Sequence, residues 1–325
     1  MDFTNQRILI VCPYFFDYPE RMKHALEKRG ASVDMINEQP GTGFADRVMM
    51  RKDFFLYHGK TERYFARQLE NLKDHYDAIL FIKCEAPTVK VLQAFRKRWP
   101  DARMLLYLWD SIRNIAHIRK KFPYFDKIFS FDTDDVAKDP ALTYAYWGFT
   151  EEFAPQDCTD EFDLCFVGTL HSVRSKLLAE IKKQCKNKGL RFCQYVYMPH
   201  PLVYAYCKLT NPAFRTVKKA DVHFEKLTTA QMLGLYNRST AVLEIENANQ
   251  HGATTRFGEM IGMRKKLVTT VNCRNDACYR PEDFFVLDAE RPELDPAFFQ
   301  TPYAPIPEEI RSRYGFDAFL DIVFG

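Results

Sequence analysis

EIENANQHGATTRFGEMIGMRKKLVTT, residues 244–270, is the stretch whose reading decides the fold. A β-rich apolar run, Thr240 to Ile245, leads into a polar loop carrying His251 and Gly252. A short helical segment follows, with Thr254, Thr255, Arg256 and Glu259 near its start. Lys265 and Lys266 then lead into a second strand, Leu267 to Thr270. Strand, polar loop, helix start and strand make an αβ unit of the ligand-binding kind. The first turn of such a helix offers unpaired backbone N–H groups and the positive end of the helix dipole, which suits a phosphate. Arg256 adds a fork of donors, and Glu259 lies one helical turn further in.

Outward from this unit, short apolar runs alternate with helical patterns. Strands are expected at Arg7–Cys12, Ser32–Ile36, Ala78–Lys83, Arg103–Trp109, Lys127–Phe131 and Thr143–Trp147. Helices are expected near Pro19–Arg29, Thr61–Lys73 and Pro87–Arg98, with a helical piece running up to Lys121. After an acidic, proline-containing break the pattern restarts: strand Leu164–Val167, helix Ser172–Lys188 stopped by Gly189, strand Arg191–Tyr197. On that helix Val173, Leu177, Leu178, Ile181 and Cys185 share one face. Pro199 to Lys219 reads as a helical, aromatic-rich insert, and Glu308–Phe324 as a helix interrupted by Gly315. Such alternation means mostly parallel sheets with helices on both faces. The expected fold class is α/β, with two Rossmann-like doubly wound domains facing a cleft. Their expected bounds are 1–152, a linker at 153–162, 163–300, and a C-terminal helix in 301–325 that packs back toward the first domain.

Composition removes several function classes. A net charge of +3 over 325 residues is too mild for a nucleic-acid binder, and no nucleic-acid partner is expected. The nine cysteines are scattered and mostly set in apolar runs, without a CxxC pair, so they read as reduced core residues. The first apolar run is a strand rather than a secretory core, and no run approaches the ~18 apolar residues of a membrane span, so a cytoplasmic protein is expected. No GxGxxG follows the first strand, where Cys12-Pro13-Tyr14 stands instead, which disfavours a nicotinamide oxidoreductase.

Four segments carry a resemblance: YLWDS (107–111), KIFSFDTDDV (127–136), FVGTLHSVR (166–174) and NQHGATTRFGEMIGMRKKLVTT (249–270). Together they resemble bacterial glycosyltransferases of lipopolysaccharide and capsule synthesis with the GT-B architecture. The likeness spans about residues 5–290 and is concentrated in these motifs. It implies a nucleotide-sugar donor held mainly by the C-terminal domain and a glycan or lipid-linked acceptor held mainly by the N-terminal one. It also implies a diphosphate met by helix dipole and basic side chains, with no metal and no cofactor. Glu259 matches the glutamate that binds the donor ribose, and only Glu244 or Glu246 stands where fuller patterns carry a second glutamate. Arg256 would neutralise the diphosphate as the glycosidic bond breaks; the plain alternative is an (i, i+3) ion pair with Glu259. Thr254 and Thr255 are helix caps, phosphate ligands, or both. Gly252 belongs to the same loop. In FVGTLHSVR, Gly168 lets the backbone approach a ligand, Thr169 can cap or bind, and His171 and Arg174 place chargeable groups at the same strand end.

In the first half, Asp110 follows Trp109 at a strand end, as a general base for an acceptor hydroxyl or as the cap of the next helix. Glu85 has the same ambiguity: base, acceptor ligand, or an acid before the helix at Pro87. DTDD (132–135) holds two D-x-D strings, but its place after a strand suits a helix start better than a metal. Arg47, Arg51 and Lys52 with Phe54, Phe55 and Leu56 could meet the anionic cytoplasmic face of the inner membrane, or form an acceptor loop. A non-catalytic nucleotide-sugar-binding protein and a sugar-nucleotide epimerase of the same fold are the alternatives.

Overall fold

The computed structural model describes every residue except 15–16, 42, 44–45, 47–48, 50–54, 171, 215–216 and 246–253. The chain divides into two compact units. One comprises Met1–Tyr146 with Phe319–Gly325, the other Trp147–Ala248 with Ala253–Ala318.

The first unit holds strands β1 (Arg7–Cys12), β2 (Ser32–Asn37), β3 (Ala78–Ile82), β4 (Arg103–Leu108), β5 (Lys127–Ser130) and β6 (Leu142–Tyr144), all parallel, in the order β2-β1-β3-β4-β5-β6. Ile8 to Cys12 and Ile79 to Phe81 are fully buried. Such unbroken apolar strands are what a parallel sheet covered on both faces requires. Helix α1 (Tyr18–Lys28) precedes β2, α2 (Phe55–Glu70) precedes β3, and α3 (Val89–Arg98) joins β3 to β4. In α3 Val91, Leu92 and Phe95 face the sheet, Thr88 caps the first turn by accepting from the Val91 N–H, and Arg96, Lys97 and Arg98 sit at the negative end of the dipole. Pro87 therefore stands just outside the helix rather than in its first turn. The helical piece expected before Lys121 is instead three 3₁₀ turns, Ile112–Asn114, Ile118–Lys120 and Phe122–Tyr124. His117 has a left-handed backbone (φ 54°) and Pro123 follows, so no continuous α-ladder can form there.

The second unit has β7 (Phe162–Thr169), β8 (Phe192–Tyr197), β9 (Val222–His223), β10 (Ser239–Glu244), β11 (Lys266–Thr269) and β12 (Phe284–Val286), parallel, in the order β12-β11-β10-β7-β8-β9. Counted within the unit this is 3-2-1-4-5-6, the strand order of dinucleotide-binding Rossmann sheets. Helix α4 (Thr133–Lys138) lies between β5 and β6 of the first unit, and between β7 and β10 lie α5 (Ser172–Asn187), α6 (Pro201–Thr210) and α7 (Thr229–Asn237). Leu177, Leu178, Ile181 and Cys185 of α5 are buried as expected, and Gly189 beyond its end takes the left-handed conformation (φ 71°). Thr228 and Gln231 form a reciprocal capping box on α7. Strand β9 is the shortest of the sheet, two residues long. Helix α8 (Thr255–Met263) leads to β11, and α9 (Pro296–Gln300), α10 (Glu308–Arg311) and α11 (Phe316–Phe324) complete the chain. Gly315 separates α11 from the turn before it.

From Phe319 onward α11 belongs to the first unit. Phe319 packs edge-on against Tyr107 with ring centroids 4.9 Å apart, and Phe324 against Phe3 at 5.5 Å. Asp321 takes the Met1 ammonium at 2.9 Å and Arg29 Nη1 at 3.2 Å. Among the described residues no helix is long and apolar enough to cross a membrane.

Candidate functional site

In doubly wound sheets ligands collect at the carboxyl ends of the strands, where the strand order reverses. The second unit reverses between β7 and β10, and Arg174, Glu244, Thr254 and Arg256 assemble there. Arg174 anchors to both strand ends: Nε and Nη2 donate to the Ile245 carbonyl at 3.1 and 2.8 Å, and Nη1 to the Thr169 carbonyl at 3.3 Å. Arg256 Nη1 donates to the Val167 carbonyl at 3.5 Å, and its guanidinium lies over the Tyr236 ring, 4.9 Å from the centroid. Burial, then the nearby charge of Arg256, lower the Arg174 pKa, while Glu244 opposes them. Two guanidinia within electrostatic reach of each other raise the local positive potential, and an anion between them relieves it.

Thr254 caps α8. Its hydroxyl accepts from the Arg256 N–H at 3.2 Å and donates to the buried Glu244 carboxylate, which also accepts from Thr269 Oγ1 at 2.8 Å. Burial raises the Glu244 pKa and those two hydroxyls lower it in part. Thr255 opens the helix at its first position. Glu259 is 2% exposed, with its carboxylate 3.3 Å from Arg256 Nε. The (i, i+3) pair that the sequence allows therefore exists, and it holds Arg256. Gly168 is explained by packing as well: a Cβ there would come within 2.9 Å of the Phe166 ring. His171, Glu246 and Gly252 lie outside the described residues, as do Arg47, Arg51, Lys52 and Phe54.

The first unit reverses between β1 and β3, and a charged cluster sits at that edge. Lys83 Nζ lies 3.0 Å from Glu85 Oε2 and 3.0 Å from Asp110 Oδ2. Burial pulls the Lys83 pKa down, but Asp110 and Glu85 outweigh it, and the net shift is upward. The Ile112 N–H, one of the donors a capping Asp110 would take, goes instead to Asp135 Oδ2 at 2.7 Å. Glu85 does not cap α3, which Thr88 does. Lys121, also buried, donates to the carbonyls of Cys84 (2.7 Å) and Glu85 (3.0 Å). It thereby pins a turn in which Lys83 and Cys84 are both left-handed (φ 69° and 55°). Each non-glycine residue held that way costs on the order of 1–3 kcal/mol, a strain typical of functional turns. A cavity of about 530 Å³ opens beside this turn, lined by His58, Glu62, Glu85, Thr88, His117 and Lys121. Asp132 of DTDD caps α4, accepting from the Asp134 and Asp135 N–H groups at 3.0 and 3.1 Å.

Sequence reading missed Lys83, Glu38 and Lys121. Lys83 was findable, since it follows a strand and stands two residues before Glu85. Glu38 gave no sign: it is fully buried and faces Lys83, Lys121 and Glu85. Burial raises its carboxyl most, Glu85 adds to that, Lys83 and Lys121 oppose it, and the net value is about 8. Between 4.5, its ordinary value, and about 8 the folded protein keeps a proton that the unfolded chain has lost. Stability is therefore expected to fall as pH rises through that window, by about 1.4 kcal/mol for each tenfold of proton affinity. Urea unfolding from about pH 5 to about pH 9 reads this directly. Glu38→Gln, which carries no titrating proton, flattens the slope; an unchanged slope in that variant would remove Glu38 as its source.

Two doubly wound units of parallel strands make up the fold of the GT-B glycosyltransferases. Solved structures with that fold align along nearly the whole chain. The apo form of the lipopolysaccharide outer core galactosyltransferase WaaB is 11% identical, with a TM-score of 0.52, covering 98% of this chain and 99% of its own. Anabaena HepE in complex with UDP and glucose is 12% identical, TM-score 0.59, covering 98% of each chain. A glycosyltransferase from Rickettsia africae is 12% identical, TM-score 0.59, covering 98% and 96%. No protein-family model and no curated protein matches the sequence.

Proposed function

We propose that this protein is a metal-independent glycosyltransferase that moves a sugar from a nucleotide-sugar donor to a glycan or lipid-linked acceptor of bacterial cell-surface polysaccharide. The guanidinia of Arg174, on α5, and of Arg256, at the start of α8, together carry the reading. They supply fixed positive charge where a diphosphate also meets the N-terminal dipole of a helix. Gly168, Thr169, His171, Gly252, Thr254 and Thr255 complete the donor seat, and Glu259 serves the ribose hydroxyls while holding Arg256. That the HepE structure contains UDP makes a uridine nucleotide the first donor to test. In the first unit, the cavity beside Glu85 receives the acceptor, Glu85 binds it, and Asp110 takes the proton of its hydroxyl. Asp110, 23% exposed, is more open than Glu85 at 6%, which suits the base role. The protein works on the cytoplasmic side of the inner membrane, in peripheral contact with it.

A nucleoside-diphosphate screen tests the donor half. A ligand bound only by the folded state stabilises it by about 2.7 kcal/mol at a hundred times its Kd. A raised Tm with UDP or another nucleoside diphosphate, reduced in Arg174→Ala, is the expected outcome. Indifference to every nucleoside diphosphate and sugar nucleotide would refute the assignment. Binding without release of free nucleoside diphosphate from any acceptor would leave a binding protein instead, and conversion of the sugar nucleotide with no acceptor would mark an epimerase.

A further inference from the structure

Helix α6 carries PLVYAYCKLT, and Tyr204 is its buried residue. Leu202 is 73% exposed, Tyr206 67%, Leu209 80% and Val203 38%. Positions 202, 206 and 209 follow i, i+4, i+7 and so form one stripe. Four of the eight large apolar side chains that the described residues expose are concentrated on this one helix. Scattered apolar residues on a surface need no explanation, but a clustered stripe does.

The charge around the stripe selects its partner. From Ile181 to Ala220 the sequence has no Asp or Glu, and nine Lys or Arg, in a chain whose whole net charge is +3. Part of that charge is paired: Lys182 with Asp221, Lys183 with Glu180, Lys188 with Glu293 and Arg191 with Asp163. Lys218 and Lys219 are exposed, and neither forms an ion pair among the described residues. They are fixed beside α6 because the preceding carbonyl, that of Val217, accepts from Tyr204 OH at 2.9 Å and Lys208 Nζ at 3.0 Å. Leucines and a tyrosine projecting from a short helix, within a lysine-rich stretch that has no acidic residue from 181 to 220, match the interface of an anionic bilayer. The apolar tips enter at the headgroup level and the lysines meet lipid phosphates.

We infer that α6, with Lys218 and Lys219, is the surface by which this protein docks on an anionic membrane. The inference rests on the reading of the acceptor as lipid-linked, for which docking raises the acceptor concentration at the site.

Co-sedimentation with phosphatidylcholine vesicles, with and without about 30% phosphatidylglycerol, tests it. The protein is expected to bind the anionic vesicles at least roughly tenfold more tightly than the neutral ones. The exposed-residue variant Leu202→Ser/Tyr206→Ser/Leu209→Ser, and separately Lys218→Glu/Lys219→Glu, should each lose roughly tenfold or more. Undiminished binding by both variants would overturn the inference, as would failure of the native protein to bind. Self-association without lipid that the serine variant abolishes would also overturn it, making the face a contact between copies. Nucleoside-diphosphate release with a soluble acceptor, measured without vesicles, separates the two readings. Release without vesicle binding removes the docking surface alone; vesicle binding without release removes the transferase and leaves the surface.

Discussion

Arg256→Ala is expected to lower donor turnover by roughly 10²–10³-fold, the loss found when a group that stabilises developing transition-state charge is removed. In the proposed transfer, departure of the nucleoside diphosphate would leave negative charge beside this guanidinium, which Glu259, the Tyr236 ring and the Val167 carbonyl hold in place. The substitution also removes the ion-pair partner of Glu259, which is 2% exposed, and losing a charged partner in a buried site costs about 1–3 kcal/mol of stability. A thermal melt of the variant therefore accompanies the assay. Arg256→Lys keeps the charge but loses the fork, so it should recover stability better than turnover. Native turnover in a folded Arg256→Ala protein would show that the leaving group is stabilised elsewhere.

Asp110→Asn is expected to reduce kcat by about 10²–10⁴-fold with little change in acceptor KM, the usual loss for a general base. Glu85→Gln is expected to do the reverse, raising acceptor KM more than it lowers kcat, because Glu85 lines the cavity and Asp110 is not among its lining residues. The two variants are informative as a pair, since both carboxylates share the ammonium of Lys83. Full activity in Asp110→Asn would mean that no base is needed there, which is the behaviour of a retaining mechanism.

The alternating α/β plan was legible because a parallel strand covered on both faces must be apolar throughout, and Ile8–Cys12 and Ala78–Ile82 are. Strand order was not: which strand lies beside β7 depends on pairing across tens of residues, and no local pattern encodes it. Yet that order places the β7/β10 reversal at Arg174 and Arg256. The place of Arg256 at a helix start, with Thr254 as cap and Glu259 one turn on, could be read from the sequence. Its partner Arg174 was visible only as a charge near a strand end, since its tie to the Ile245 carbonyl spans 71 residues. The cluster on Lys83 shows the same limit. Asp110 and Glu85 each looked like a cap, and only the folded structure gives those caps to Asp135 and Thr88. Between β4 and β5 the expectation of a helix failed because one left-handed residue, His117, outweighs the apolar spacing around it.

The return of Phe319–Gly325 to the first unit has a consequence for biosynthesis. A ribosome delivers residues 1–146 early, but the rings that close over Phe3 and Tyr107 come from codons that follow the whole of the second unit. Until then the second unit has been made in full while the first waits with a gap in its wall. The earlier-made half is thus the later to finish, and until Phe319–Phe324 emerge its unfilled apolar seam is what a nascent-chain chaperone would meet.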